Sequence, residues 1–329
     1  MSAIHVENLT RTFHDFIAVN KLSFDIESGE IFGLLGPNGA GKTTTISMLS
    51  TMLKPTSGTA TVNDRDLLTD EDGVRKSIGI VFQDQSLDEE LTAYENMDFH
   101  GRLYRIPKNI REERIFDLLT LVELEERKND LVKTFSGGMR RRLEIARGLL
   151  HRPKVLFLDE PTLGLDPQTR NHLWQYIEQL NKDMGITIIL TTHYMEEADR
   201  LCDRIAIIDH GTIIALDTAQ NLKNKVGGDV VTIQTPDGDR ISSKITAPWV
   251  ERIEQRDGYV TINLHNADTH LSEIVTLLND NEIEITSISV RKPTLEDVFL
   301  DYTGRTIREQ EADGREAIRM RMIHRASRR

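Results

Sequence analysis

Residues 36–43 read Gly-Pro-Asn-Gly-Ala-Gly-Lys-Thr, fitting the pattern G-x-x-x-x-G-K-[ST]. Glycines in such a run let successive backbone N–H groups turn inward around phosphate oxygens, and a helix starting at its end adds its positive dipole. In that chemistry Lys42 reaches the β- and γ-phosphates of a nucleotide, and the Thr43 hydroxyl ligates Mg²⁺. The context fits: residues 30–35 read as a buried strand, and Ile46, Leu49 and Leu53 recur at helical spacing before Pro55 and Gly58 stop the helix. A second acidic element comes later, where Val155-Leu156-Phe157-Leu158 runs into Asp159-Glu160. Two carboxylates at a strand end usually mark a solvated turn. With a phosphate loop upstream, Asp159 suits magnesium through water, and Glu160 suits a general base for an attacking water.

Two further groups are ambiguous alone. Ser136-Gly137-Gly138 opens a helix marked by Leu143, Ala146 and Leu150. A hydroxyl, free N–H groups and a helix N-terminus make an anion site, though by itself the triplet is an ordinary cap. His193 follows Thr191-Thr192 at the end of a buried strand, where a lone histidine is more often structural.

Together with Gln83, at the end of strand 77–82, and Leu165-Asp166, these motifs resemble the ATP-binding cassette (ABC) ATPases, in the family's order over about residues 4–216. The resemblance implies an α/β P-loop NTPase cassette with a helical signature subdomain. It implies ATP and Mg²⁺, with Gly36, Pro37, Asn38, Gly39, Ala40, Gly41, Lys42, Thr43 and Thr44 around the phosphates. Phe13 resembles the adenine-stacking aromatic, with Phe16 a neighbouring candidate. Gln83 resembles the glutamine that touches Mg²⁺ and the attacking water, with Gln85 as its rival. The implied metal set is Thr43, Gln83 and Asp159, and the catalytic set Glu160, His193, Gln83 and Lys42. Ser136, Gly137 and Gly138 match the signature motif, which closes on the ATP of an opposite subunit; Asp166 matches the dimer-contact loop. Met139 stands where the commonest signature has Gln, and Phe13 where Tyr is frequent.

Residues 29–36, Met139-Arg140-Arg141-Arg142 and residues 293–300 look like the daunorubicin-resistance type of drug-export ATPase. That likeness implies a homodimer beneath a separately encoded integral membrane permease, at the cytoplasmic face of the cell membrane, exporting drug, antibiotic or lipid-like molecules. The alternative within the family is a soluble ATPase acting on nucleic acid or in cofactor assembly. A phosphate-loop kinase would give Ser136-Gly137-Gly138 no purpose.

The elements must hold these groups in place. With 329 residues, 38% apolar and 29% charged, the chain suits about two domains and excludes wholesale disorder and fibres. A net charge of −12 argues against a broad nucleic-acid surface, so none is expected as partner. The arginines 140–142 read as the solvated face and packing stems of their helix. Cys202, the single cysteine, reads as core filler. No apolar run reaches the roughly 18–20 residues of a membrane span, and the first ten residues lack a signal-peptide core, so a soluble chain is expected. Strand–helix alternation predicts a largely parallel sheet with helices on both faces. The expected divisions are a cassette at 1–225, with a helical subdomain at about 86–150, a small α+β accessory domain at 226–304 and an Arg-rich tail at 305–329. Within the accessory domain, strands are expected at 230–234, 260–264 and 283–288, with a helix over 271–278.

Overall fold

The computed structural model describes residues 2–226, 228–245, 247–256, 258–264 and 267–304; the Arg-rich tail lies outside the described residues. The chain forms two compact units that divide between Thr218 and Ala219.

The first unit begins with a long hairpin, β1 (Ser2–Phe13) and β2 (Phe16–Glu27). Apolar periodicity marks only its buried half, through Ile4, Val6, Leu9, Leu22, Phe24 and Ile26. The tip is exposed and carries Phe13, Phe16 and Ile17, so the alternation of the buried half does not extend to it. The following elements are β3 (Ile31–Leu35), α1 (Lys42–Leu49), β4 (Ser57–Val62), β5 (Arg65–Asp66), α2 (Glu71–Ser77) and β6 (Ile78–Val81). A helical stretch comes next, with α3 (Ala93–Leu103), α4 (Lys108–Leu121) and α5 (Gly137–Leu149). Thr92 and Glu95 close a reciprocal capping box on α3. The unit ends with β7 (Val155–Asp159), α6 (Pro167–Met184), β8 (Thr187–Thr192), α7 (Met195–Leu201), β9 (Arg204–Asp209) and β10 (Thr212–Asp217).

These strands make two sheets. The larger has the order β10-β9-β3-β8-β7-β6. Five of its strands run parallel, and only β10 is antiparallel to its neighbour β9. Every residue of β3, β7 and β8 is buried, as a sheet covered on both faces requires. The smaller sheet, β2-β1-β4-β5, is antiparallel throughout. The expectation of a largely parallel sheet thus describes the central layer and misses this one. Phe32 and Phe157 of the parallel sheet share a core with Val6, Leu9 and Phe24 of the hairpin; each such side chain stabilises by about 1.5–3 kcal/mol.

The second unit comprises α8 (Ala219–Lys225), β11 (Asp229–Gln234), α9 (Gly238–Lys244), β12 (Val250–Arg256), β13 (Tyr259–Leu264), α10 (Ala267–Asp280), β14 (Ser287–Arg291) and α11 (Leu295–Thr303). Its sheet is antiparallel, ordered β12-β13-β11-β14. With the connectivity β-α-β-β-α-β this is a split βαβ module, cored by Val231, Ile233, Ile262, Leu264, Ile274 and Leu278. The last strand runs over 287–291 rather than 283–288, because Ile283 packs into the core ahead of it. Thr294 caps α11, in a box with Asp297.

One buried acid braces the first unit beneath its functional edge. Glu197 of α7 is fully buried and accepts from Thr162 Oγ1 at 2.8 Å and Trp174 Nε1 at 2.9 Å. Burial pushes its carboxyl above the usual range, against these hydrogen bonds. The folded chain therefore keeps a proton that the unfolded chain has released, and stability falls as pH rises through that window. Glu197→Gln should remove this part of the fall. Urea unfolding at steps between about pH 5 and 8 should show the wild type losing stability relative to the variant; parallel profiles would mean Glu197 is ionised in the fold.

Candidate functional site

The parallel sheet brings its C-terminal strand ends to one edge, the usual position for ligands in open α/β sheets. The register pairs Leu35 at the end of β3 with Thr192 of β8, and Asp159 at the end of β7 with Thr191. The loop after β3 is therefore adjacent to Thr192-His193, and both are adjacent to Asp159-Glu160.

The loop over 36–41 is shaped by its glycines. A Cβ at Gly36 would stand 2.2 Å from the Ile208 carbonyl oxygen. Gly41 caps α1 at φ 106°, and its Cβ would meet Ala18 O at 2.6 Å. Only glycine fits both positions. Lys42, buried at 4% exposure, folds its ammonium back onto the loop. It donates to Gly36 O at 2.7 Å and Pro37 O at 3.1 Å, and stands 3.4 Å from Glu160 Oε1. The Thr43 hydroxyl donates to Asp159 Oδ1 at 3.2 Å.

Glu160 occupies the left-handed region at φ 45°, a strained conformation for a residue with a side chain. Its N–H is held by Thr191 twice, through Oγ1 at 3.0 Å and the carbonyl at 3.2 Å. The same Thr191 hydroxyl donates to Asp159 Oδ1. His193 Nδ1 lies 3.3 Å from Glu160 Oε1, within ion-pair range but without a hydrogen bond. Burial pushes the Glu160 carboxyl up, but His193 and the Lys42 ammonium outweigh it and hold the group below the usual glutamate range. Glu160 is thus a carboxylate at neutral pH.

A hollow of about 510 Å³ opens here, lined by Phe13, Phe16, Asn38, Gly39, Gly41, Lys42, Thr43, Thr44, Gln83 and Glu160 among others. Both aromatic candidates line it, and Arg11 covers the Phe13 ring at 4.6 Å from its centroid. Gln83 lines it as well. The Gln85 side chain instead accepts from Arg140 at 3.2 Å. Asp159 lies beneath, almost fully buried.

Ser136, Gly138 and the start of α6 form a different hollow of about 440 Å³. Ser136 caps α5, accepting from Met139 N at 3.3 Å. Asp166 caps α6, accepting from Thr169 N at 3.0 Å. A Cβ at Gly138 would stand 2.3 Å from Thr169 Cγ2, so a larger residue there would have to displace that side chain. In a single copy the phosphate-loop residues and the Ser136-Gly137-Gly138 cap thus line separate hollows.

Sequence reasoning missed Arg141. It is buried rather than solvated and donates to Asp159 O at 2.8 Å and Pro161 O at 3.0 Å. Its place three residues after Gly138 and four before buried Ile145 is the signal that could have found it. Cys202 is buried as expected, against Gly33.

Residues 19–163 match the ABC transporter family, and residues 218–303 match the C-terminal domain of DrrA1-3-like ATP-binding proteins. The linearmycin resistance ATP-binding protein LnrL of Bacillus subtilis is 39% identical, covering 93% of this chain and 100% of the relative. The daunorubicin/doxorubicin resistance ATP-binding protein DrrA of Streptomyces peucetius is 40% identical, covering 92% of each. Among solved structures, the ATP-binding cassette MJ0796, a dimer in a post-hydrolysis state bound to ADP and Pi, superposes with a TM-score of 0.59 at 28% identity. It covers 65% of this chain and 98% of that one.

Gly36→Ala places a methyl against the backbone of β9, which cannot yield as a side chain would. The variant should lose about 1–3 kcal/mol of stability and bind nucleotide weakly, if at all. Thermal melting with and without ATP checks this; a wild-type ATP-induced shift would show that the loop tolerates the change.

Proposed function

The chain belongs to the ATP-binding proteins of ABC transporters, and from that premise we propose that it powers export by hydrolysing ATP between two of its own copies. The observation that carries the reading is the contact between Lys42 and Glu160 at 3.4 Å, at the mouth of a glycine-built phosphate loop.

ATP is the substrate. Its phosphates would lie on the N–H groups of residues 36–44 and the N-terminus of α1, with Lys42 turned to the terminal phosphates. Its adenine would stack at the hairpin tip, on Phe13 or Phe16. Glu160, ionised and buried, accepts the proton of a water that attacks the γ-phosphate. Lys42 and His193 stabilise the charge that develops there.

Thr43 and Asp159 offer a hydroxyl and a carboxylate oxygen already 3.2 Å apart, with Gln83 on the wall of the hollow. Few, hard oxygen donors suit Mg²⁺, which takes its remaining ligands from phosphate and water. When bound, the ion neutralises phosphate charge.

The cap at Ser136-Gly137-Gly138 serves the partner copy. In a single copy the cap and the phosphate loop line different hollows, which supports this role. Among the described residues no helix is long and apolar enough to cross a membrane. In this reading a separate integral membrane permease supplies the pathway, and the chain works at its cytoplasmic face. Relatives named for linearmycin and daunorubicin/doxorubicin resistance support cargo of the drug, antibiotic or lipid-like class.

Glu160→Gln should keep ATP binding, lower turnover by about 10²–10⁴-fold and accumulate an ATP-bound dimer on size-exclusion chromatography. Hydrolysis near the wild-type rate removes Glu160 as the base. Ser136→Arg should leave ATP binding by a single copy intact while abolishing turnover. Loss of monomer ATP affinity in that variant would contradict the cross-subunit cap.

A further inference from the structure

Helix α5 carries Arg141, Glu144 and Arg147 at intervals of three, on neighbouring turns of the helix. Arg141 is buried, and its guanidinium is used on four partners. Nε donates to Pro161 O at 3.0 Å and Nη2 to Asp159 O at 2.8 Å. Nη1 donates to Phe82 O and, at 3.1 Å, to Glu144 Oε2. Asp159 and Pro161 flank Glu160, and Phe82 immediately precedes Gln83.

The far end of the Gln83 loop is held to the same helix. Glu144, also buried, accepts the Ser86 N–H at 2.8 Å through its other oxygen. Arg147 donates to Ser86 O at 2.7 Å. The loop is thus fastened to α5 at both ends, and the turn of Glu160 is fastened there by the same guanidinium. A buried charge demands its partners. A shift of α5 must carry both segments with it or leave Arg141 unpaired.

We infer that Arg141 is a positioning residue for hydrolysis, setting the backbone on both sides of Glu160 and the start of the Gln83 loop from the helix that Ser136 caps. Base turn and glutamine loop thus share one anchor on that helix. This rests on the reading of Glu160 as the base.

Arg141→Lys keeps the charge, but one ammonium cannot serve Phe82, Asp159 and Pro161 together. Glu144→Gln keeps an acceptor for Ser86 and removes the ion pair. In the full-length chain, Arg141→Lys should lower kcat about 10²-fold while the ATP Kd stays within about twofold. Glu144→Gln should show the same split at about tenfold. Wild-type kcat in Arg141→Lys overturns the inference. So does a joint loss of kcat, ATP binding and Tm, which marks a merely structural arginine. If Arg141→Lys does not fold, Glu144→Gln decides, and unchanged kcat there overturns the inference. Glu160→Gln assayed alongside keeps the two readings apart. Normal hydrolysis in it removes the base; a dead Glu160→Gln beside a normal Arg141→Lys removes only the role of Arg141.

Discussion

The hydroxyl of Thr191 orients both carboxylates of the functional edge. It donates to Asp159 Oδ1 and accepts from the Glu160 N–H, which the Thr191 carbonyl also accepts. A hydroxyl is one of the few side chains able to do both at once. Left-handed backbone at a residue like Glu160 costs on the order of 1–3 kcal/mol, and these bonds, deep in the sheet, offset it. The bend lifts Glu160 out of the line of β7, toward Lys42 and His193. Without it, the carboxylate would continue the alternation of a buried strand, where an unpaired charge is not tolerated.

The same edge explains how a buried carboxylate stays ionised. Lys42 follows β3 and His193 follows β8, the strand that lies between β3 and β7, and both converge on one oxygen, Glu160 Oε1. Burial alone would raise the Glu160 carboxyl; the two nearby groups outweigh it. The glycines of the loop allow this by bringing backbone, rather than side chains, against Ile208 and Ala18. Position and charge are thus set by one piece of strand register.

Much of this was readable in the order of residues. The phosphate loop, the acidic strand end and the cap at Ser136 are local patterns, and each folds locally as read. The long hairpin was not readable, because Phe16 and Ile17 lie exposed at its tip and mask the alternation. Phe13 and Phe16 could not be separated by sequence, and they share one hollow in the fold. Gln83 and Gln85 were separable only in three dimensions, since what removes Gln85 is an arginine distant in sequence. Arg141 escaped because a run of three arginines looks like surface, while its burial depends on carbonyls that come from two other segments.

That run also settles how a chain of net charge −12 employs its basic helix. Arg140 pairs with Glu89 and donates to Lys133 O. Arg142 meets Glu123 at 2.8 Å and Val122 O at 2.9 Å. Arg141 and Arg147 serve carbonyls of neighbouring loops. Guanidinium groups so engaged are not available as a row of phosphate contacts, which is what binding along a nucleic-acid backbone needs. The anion sites of the cassette are instead made from backbone N–H groups and helix N-termini. In the proposed reading such sites reach only over the first turn of a helix, which suits a compact phosphate chain held at one point.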